Sequence, residues 1–307
     1  PKGITGVFVL RNLTDVEAIK LKAAESRQAV VLGGGLIGLK AAMAMASAGL
    51  KTTVIIRSKH VLSQMIDYDA AQILDRILYQ NEVDVMYETQ VSEILAENND
   101  VIGVKTTKGD IVDCQVLIAA KGVQPNTQLT DPAGIEKRWG IVTDGHMQTS
   151  IENIYAAGDV AEAYDIALDD YCVNALWTTA VQQGEVAGAN MVGKENVYSG
   201  AVGMNSLNVC NISLISFGVT DPKKKTGYKI QVKNQPESNV YKKVVIGKDN
   251  RLKGMILLGR INNAGVLLSL LLKKMDVSAF REELLSDYFN YGTLLKYGGE
   301  SELRKHY

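Results

Sequence analysis

The chain has 307 residues, with 33 Lys and Arg against 34 Asp and Glu and a formal net charge of −1. At roughly 100–200 residues per domain this is about two domains, and the balanced charge lacks the basic excess that phosphate-backbone binding uses, so nucleic acid is not an expected partner. No apolar run reaches about eighteen residues, so no membrane span is expected, and the 3 cysteines, Cys114, Cys172 and Cys210, are too scattered for a disulfide framework or a four-ligand zinc site and fit a reducing cytoplasm.

Thr14-Asp15-Val16-Glu17 reads as a capping box, the Thr hydroxyl and the Glu carboxylate each taking a backbone donor at a helix start. Gln28 to Leu32 is a short apolar strand that runs into Gly33-Gly34-Gly35-Leu36-Ile37-Gly38 and an alanine-rich helix, Leu39 to Ala48, stopped by Gly49. Thr52 to Ile56 is β-branched and continuous, as a parallel strand covered on both faces should be. Asp67 caps a helix to about Gln80, and strands are expected at Val83 to Tyr87, Val91 to Ala96, Val101 to Thr107 and Ile111 to Ala120, with Lys108-Gly109-Asp110 as a tight turn. The alternation predicts an α/β, doubly wound nucleotide-binding domain.

Residues 123 to about 196 are less periodic until a helix from Ala175 to Met191. Short β segments return at Ser206 to Cys210, Ser213 to Phe217, Gly227 to Val232, Tyr241 to Ile246 and Lys253 to Leu258. Asp221-Pro222 followed by Lys223, Lys224 and Lys225 reads as a turn with a solvated basic face. From Asn263 the pattern is helical, and the apolar Val266 to Leu272 reads as a packed or interface helix. The three histidines, His60, His146 and His306, are too dispersed for a metal site, and none is expected.

The sharpest local signal is GxGxxG at Gly33, Gly35 and Gly38, between a strand and a helix. The first glycine permits the tight turn, the second lets backbone approach a pyrophosphate, and the third lets helix pack closely on strand. The pyrophosphate would sit at the positive end of the helix dipole, so Gly33, Gly34, Gly35, Leu36, Ile37 and Gly38 are candidate cofactor-binding residues. At the end of the second strand, where an acid usually bonds the adenosine ribose, stand Arg57, Ser58, Lys59 and His60. These cationic and donor groups favour a 2′-phosphate and hence NADP, with NAD as the alternative. A second signal is Ile154-Tyr155-Ala156-Ala157-Gly158-Asp159-Val160, read as an apolar strand ending in Gly-Asp. Gly158 would let backbone approach a ligand and Asp159 would accept a ribityl hydroxyl. Downstream, Trp177-Thr178-Thr179-Ala180-Val181-Gln182-Gln183-Gly184 opens a helix.

With these residues the chain resembles the FAD-dependent pyridine nucleotide-disulfide oxidoreductases, in the branch of rubredoxin and ferredoxin reductases, NADH oxidases and the flavin part of nitrite reductases. The resemblance rests on Gly33 to Gly38, Ala120-Lys121-Gly122-Val123-Gln124-Pro125-Asn126-Thr127, Tyr155 to Asp159, and W-x-x-A-x-x-Q-G from Trp177 to Gly184, and covers most of residues 7 to 260. It implies NAD(P)H bound at the first motif, FAD at Gly158 and Asp159, and the isoalloxazine near Trp177 and Ala180, with Gly122 at the return from the nucleotide domain. It also implies hydride transfer from the nicotinamide to FAD, then electron transfer to a small redox protein or a disulfide.

Three departures stand out. Family members carry an earlier GxGxxG for the FAD adenosine diphosphate, and here there is one such loop. The expectation is therefore an NAD(P)H oxidoreductase lacking its N-terminal FAD-binding part, by truncation or because a partner chain supplies it. Lys40 stands where many relatives have Glu near the nicotinamide, and Arg57 replaces the NAD-type acid, similar to NADPH-using glutathione reductases. The expected domains are a linker at 1–13, a Rossmann-type NAD(P)-binding domain at 14–122 inserted in a partial FAD-binding domain at 123–198, and an α+β C-terminal domain at 199–307 that could form a homodimer interface.

Overall fold

The computed structural model describes residues 3–222 and 227–297, so Lys223, Lys224, Lys225 and His306 lie outside the described residues. It separates into two compact units. One is the chain through Gly122 with Leu207–Leu214 and Gln235–Asn239, and the other is the rest of the described residues.

The first unit opens with β1 (Val7–Val9) and α1 (Leu13–Ala24). The cap is Asn12 rather than Thr14. The Asn12 side chain accepts from Asp15 N at 2.9 Å while Asp15 Oδ2 accepts from Asn12 N at 3.1 Å, so the reciprocal pair forms two residues before the expected one. Next come β2 (Gln28–Leu32), α2 (Leu36–Ser47), β3 (Lys51–Ile55), α3 (Tyr68–Gln80) and β4 (Val83–Met86). Helix α2 starts three residues before the predicted Leu39. The motif residues Leu36 and Ile37 are thus already helical, and Gly35 is the cap. Asp67 caps α3 by accepting from Ala70 N at 3.1 Å. Ile73, Leu74, Ile77 and Leu78 bury one face of α3, each side chain contributing about 1.5–3 kcal/mol.

Strands β5 (Val91–Glu97), β6 (Asp100–Thr106) and β7 (Ile111–Asp113) form a three-stranded antiparallel sheet. The single strand expected from Ile111 to Ala120 is in fact two, because the chain changes sheets at Cys114-Gln115. Gln115 Oε1 accepts from Arg27 N and Gln28 N at 3.2 and 3.1 Å, and β8 (Val116–Ala119) enters the parallel sheet. That sheet has the order β1-β8-β2-β3-β4 with every pairing parallel. From β2 the chain winds outward through β3 and β4, then returns to the other side as β8. The C-terminal end of β2 is therefore the switch point of a doubly wound α/β fold, where ligands of such sheets bind.

The second unit begins with a one-turn helix, α4 (Thr130–Ala133), and a small sheet of β9 (Ile141–Val142), β10 (Ala161–Asp165) and β11 (Asp170–Cys172), followed by α5 (Trp177–Met191). Tyr155 makes only an isolated bridge to Gln148, so the apolar strand expected before Gly158 is absent and the strand follows the turn instead. A five-stranded sheet of β12 (Met204–Val209), β13 (Ile212–Gly218), β14 (Lys229–Gln235), β15 (Val240–Ile246) and β16 (Leu252–Leu258) has the order β12-β13-β16-β15-β14. Helices α6 (Ala264–Leu272) and α7 (Tyr291–Lys296) close the described chain. Leu267, Leu270 and Leu271 of α6 are buried in one core with Val244, Met255 and Leu257.

Candidate functional site

In the first unit the glycine turn is dictated by packing at two of its three positions. A Cβ on Gly33, whose φ is +117°, would stand 2.2 Å from Ala120 O, and one on Gly38 would stand 1.9 Å from Gly33 O. Backbone lies at both points, so neither position admits a side chain. Around Gly35 nothing lies within 4 Å. Its lack of a side chain answers no neighbour in the protein and leaves room directly over the N-terminus of α2. No side chain caps that helix, and its first turn holds no acid, so its N–H groups and dipole face this space. The cradle fits a pyrophosphate. Ala120 N donates to Leu32 O at 2.8 Å, which fixes the strand end beside the turn, and Gly122 follows at φ +95°.

The loop after β3 is folded back onto this turn. Leu62 N donates to Gly34 O at 2.8 Å, Thr89 N to Ile56 O at 2.9 Å and Glu88 N to Ser58 O at 3.2 Å. Leu62 holds a φ of 50°, an uncommon conformation for leucine that these bonds and its burial impose. Within the loop, Ser58 Oγ donates to His60 O at 2.8 Å and His60 Nδ1 lies 2.9 Å from Val61 O. The His60 ring meets Tyr68 edge-on at 6.1 Å. Arg57 and Lys59 are exposed, while Ser58 and His60 are half-buried. The structure thus gathers the glycine turn and the four loop residues in one unit. Lys40 lies exposed on α2.

Sequence reasoning missed a pair behind this loop. Asp75 stands on the largely apolar face of α3 and interacts with the Tyr87 phenol. Burial raises the Asp75 carboxyl, while the Tyr87 hydroxyl and the nearby His60 draw it down. Burial, with Asp75 beside it, raises the Tyr87 phenol strongly. Asp75 Oδ1 is buried without a hydrogen-bond partner. The signal was an acid between Leu74 and Ile77.

In the second unit, Gly158 is buried at φ +81°, and a Cβ there would lie 3.4 Å from the Ala180 Cβ. This seats the Gly158-Asp159 turn against the first turns of α5, whose N-terminus carries no side-chain cap. Gly158 N donates to Gln183 Oε1 at 2.8 Å. Gln183 is 1 % exposed and also bonds the Tyr198 hydroxyl, which burial raises above the ordinary phenol range. Gln183 belongs to the W-x-x-A-x-x-Q-G pattern, yet its work of holding the turn was not visible without the fold. Asp159 is exposed and Trp177 is 86 % exposed, so both offer themselves to a ligand. The turn, the carboxylate and the open helix end suit a flavin ribityl and phosphate.

Burial, reinforced by Asp165 and Glu162, pushes the Cys172 thiol up to about 12, and burial does the same to Cys114. Neither is a ready thiolate nucleophile. Among the described residues no three His, Cys, Asp or Glu side chains are grouped to hold a metal, and no helix is long and apolar enough to cross a membrane.

A doubly wound α/β unit with an open glycine cradle defines a dinucleotide-binding type of fold. The family profile described as Pyridine nucleotide-disulphide oxidoreductase matches residues 2–184, and that described as Rubredoxin NAD+ reductase C-terminal domain matches residues 204–275; the chain belongs to the pyridine nucleotide-disulphide oxidoreductase family. It is 28% identical over 275 residues to the nitrite reductase [NAD(P)H] of Bacillus subtilis, covering 89% of this chain and 33% of the relative. It is 29% identical over 283 residues to the NADH-dependent phenylglyoxylate dehydrogenase subunit epsilon of Aromatoleum evansii, covering 91% of this chain and 66% of that subunit. An NAD-dependent persulfide reductase from A. fulgidus has the same fold, with a TM-score of 0.82 at 25% identity over 90% of this chain and 54% of its own. The chain therefore spans between a third and two thirds of these curated relatives.

Proposed function

We propose that this chain is the nucleotide-binding and partial flavin-binding portion of an NAD(P)H-dependent flavoprotein oxidoreductase. The observation that carries the reading is the open cradle at Gly35 above the uncapped N-terminus of α2, with Arg57 to His60 in the same unit. Nicotinamide and flavin, when bound, supply the hydride and electron chemistry. The protein's own residues bind and orient. Gly33 to Gly38 receive the pyrophosphate, and Gly122 lets the chain turn out of the nucleotide domain. Arg57, Ser58, Lys59 and His60 hold the adenosine ribose and favour its 2′-phosphate. Gly158, Asp159, Trp177 and Ala180 hold the flavin, Gln183 fixing the turn that carries Asp159. The acceptor is a small redox protein of the rubredoxin or ferredoxin type, or a disulfide, and the C-terminal domain at 199–307 serves as an interface, including to a second copy.

The test is nucleotide preference. Arg57→Glu places a like charge beside the 2′-phosphate and removes a charge-assisted hydrogen bond of about 1.5–3 kcal/mol, so NADPH should bind roughly 10- to 100-fold more weakly, with NADH changed little. Fluorescence titration checks it; NADH binding more tightly than NADPH to the unaltered chain would contradict the assignment.

A second reading is a nucleotide-binding subunit whose flavin site a partner chain completes; like the first, it rests on the single GxGxxG in these 307 residues. A second dinucleotide needs its own pyrophosphate cradle, and the described residues supply one such cradle. The 307-residue polypeptide should therefore purify colourless, with little diaphorase activity. A yellow protein carrying one FAD per chain after purification would overturn this.

A further inference from the structure

We propose that Lys121 makes the nucleotide site discriminate between the two redox states of its dinucleotide, holding the reduced form more tightly than the oxidised one. The inference rests on the site proposed above. The direction in which the dinucleotide lies follows from the sheet. Its order places β8, β2 and β3 side by side and parallel, with strands about 4.8 Å apart. The pyrophosphate belongs at the N-terminus of α2, which follows β2, and the adenosine ribose on the β3 side of it. The nicotinamide half then continues to the other side of β2, across the end of β8.

Lys121 stands at that end. Ala119 of β8 pairs with Leu32, and Ala120 N donates to Leu32 O at 2.8 Å, so the next residue is seated beside the glycine turn. A Cβ on Gly33 would lie 3.4 Å from the Lys121 Cα. The Lys121 side chain is exposed, and no described residue hydrogen-bonds or ion-pairs with its ammonium. The adjoining chain supplies no acid to neutralise it. Residues 33–66, from the glycine turn through α2 and β3 to the loop beyond, contain no Asp or Glu, and neither do residues 114–122, which carry β8 and the turn out of it. An oxidised nicotinamide ring is a cation, whereas the reduced ring is neutral. The two forms share the same phosphates and adenosine, so the contributions of the helix terminus and of Arg57 to His60 are common to both. An ammonium on a flexible stem beside the ring repels the oxidised form alone. The site therefore takes up the reduced dinucleotide and lets the oxidised one go once its hydride has left, as suits a chain that delivers electrons.

The test is calorimetric titration of the 307-residue chain with NADPH and with NADP⁺. It is run at about 0.01 M and about 0.15 M salt, between which the Debye length falls from about 30 Å to about 8 Å. It is repeated with Lys121→Gln, Lys121→Glu and Lys121→Arg, changes at an exposed side chain without partners that should leave the melting temperature unaltered. The quantity read is the ratio of NADPH to NADP⁺ affinity, in which the 2′-phosphate and the pyrophosphate cancel. At the lower salt this ratio should fall about fivefold in Lys121→Gln, as for one unit charge a few ångströms away in water, and further in Lys121→Glu, while Lys121→Arg keeps it. At the higher salt the difference between wild type and Lys121→Gln should shrink. Adenosine 2′,5′-bisphosphate, which lacks the nicotinamide half, should bind wild type and Lys121→Gln alike. An unchanged ratio in Lys121→Gln, or equal weakening of all these ligands, would overturn the proposal. Failure of the wild type to bind either dinucleotide would instead overturn the underlying site.

Discussion

Gly38→Ala should cost the nucleotide unit both its stability and its ligand, whereas Gly35→Ala should cost the ligand alone. At Gly38 the added Cβ would lie 1.9 Å from Gly33 O, and Gly33 is itself pinned, since a Cβ there would stand 2.2 Å from Ala120 O. No flexible side chain can move aside; the start of α2 must shift away from the end of β2. Overpacking of this kind costs about 1–3 kcal/mol, and the shift takes the helix N-terminus off its line to the pyrophosphate. At Gly35 there is nothing within 4 Å to strike, and the backbone φ of −81° suits any residue. Gly35→Ala should therefore melt with the unaltered chain, within about 0.5 kcal/mol as for other substitutions that touch nothing, while NADPH affinity falls by about tenfold or more. Thermal melts paired with NADPH titration check both. Equal loss of affinity and stability at the two positions would mean that Gly35 serves the turn rather than a ligand.

Asp287→Asn should be the most damaging single change in the C-terminal region. One carboxylate there meets three cations: Lys242 at 2.8 Å, Arg260 at 2.6 Å and Lys233 at 3.5 Å. Lys242 is 1 % exposed, so the amide would leave a buried ammonium without its counter-charge. Breaking such a pair costs about 3–5 kcal/mol. The Lys242 ammonium, more than Arg260 and Lys233, holds the Asp287 carboxyl well below the usual carboxylate range against a burial effect that raises it. A carboxyl depressed in the folded state contributes stability that is fully present above its unfolded pKa of about 3.9 and is lost as pH falls toward the folded value. Urea unfolding should therefore show a steep loss of stability below about pH 4 that the Asn variant lacks. A variant as stable as the parent near neutral pH would show that the cluster is a solvated surface network.

What could be read from the sequence was local. Gly33, Gly35 and Gly38 announce their turn by their spacing between an apolar strand and an alanine-rich helix, although only Gly38 is crowded by a near neighbour, Gly33 O, while Gly33 is crowded by the distant Ala120 O. Asp67 caps α3 as its position ahead of an apolar face implies. The start of α1 was displaced by two residues: Asn12, not Thr14, is the cap, because Asp15 falls at the third helical position from it. Long-range pairing was hidden. Nothing around Cys114-Gln115 says that one apolar stretch will serve two sheets, since that depends on Gln115 meeting Arg27 and Gln28, 88 and 87 residues away. The same holds for Gln183 on Gly158, 25 residues apart, and for Asp75 with Tyr87, where only the packing of α3 makes the pair. The flavin turn lay between: Gly158-Asp159 was recognisable as a motif, but the strand expected before it forms after it as β10.

In the proposed function a dinucleotide occupies the space over Gly35 at the N-terminus of α2. The most direct measurement is calorimetric titration of the 307-residue chain with NADPH, alongside Gly35→Ala. One saturable site per chain, weakened about tenfold or more in the variant at unchanged melting temperature, is the expected result. No saturable binding, or binding that Gly35→Ala leaves intact, would contradict it.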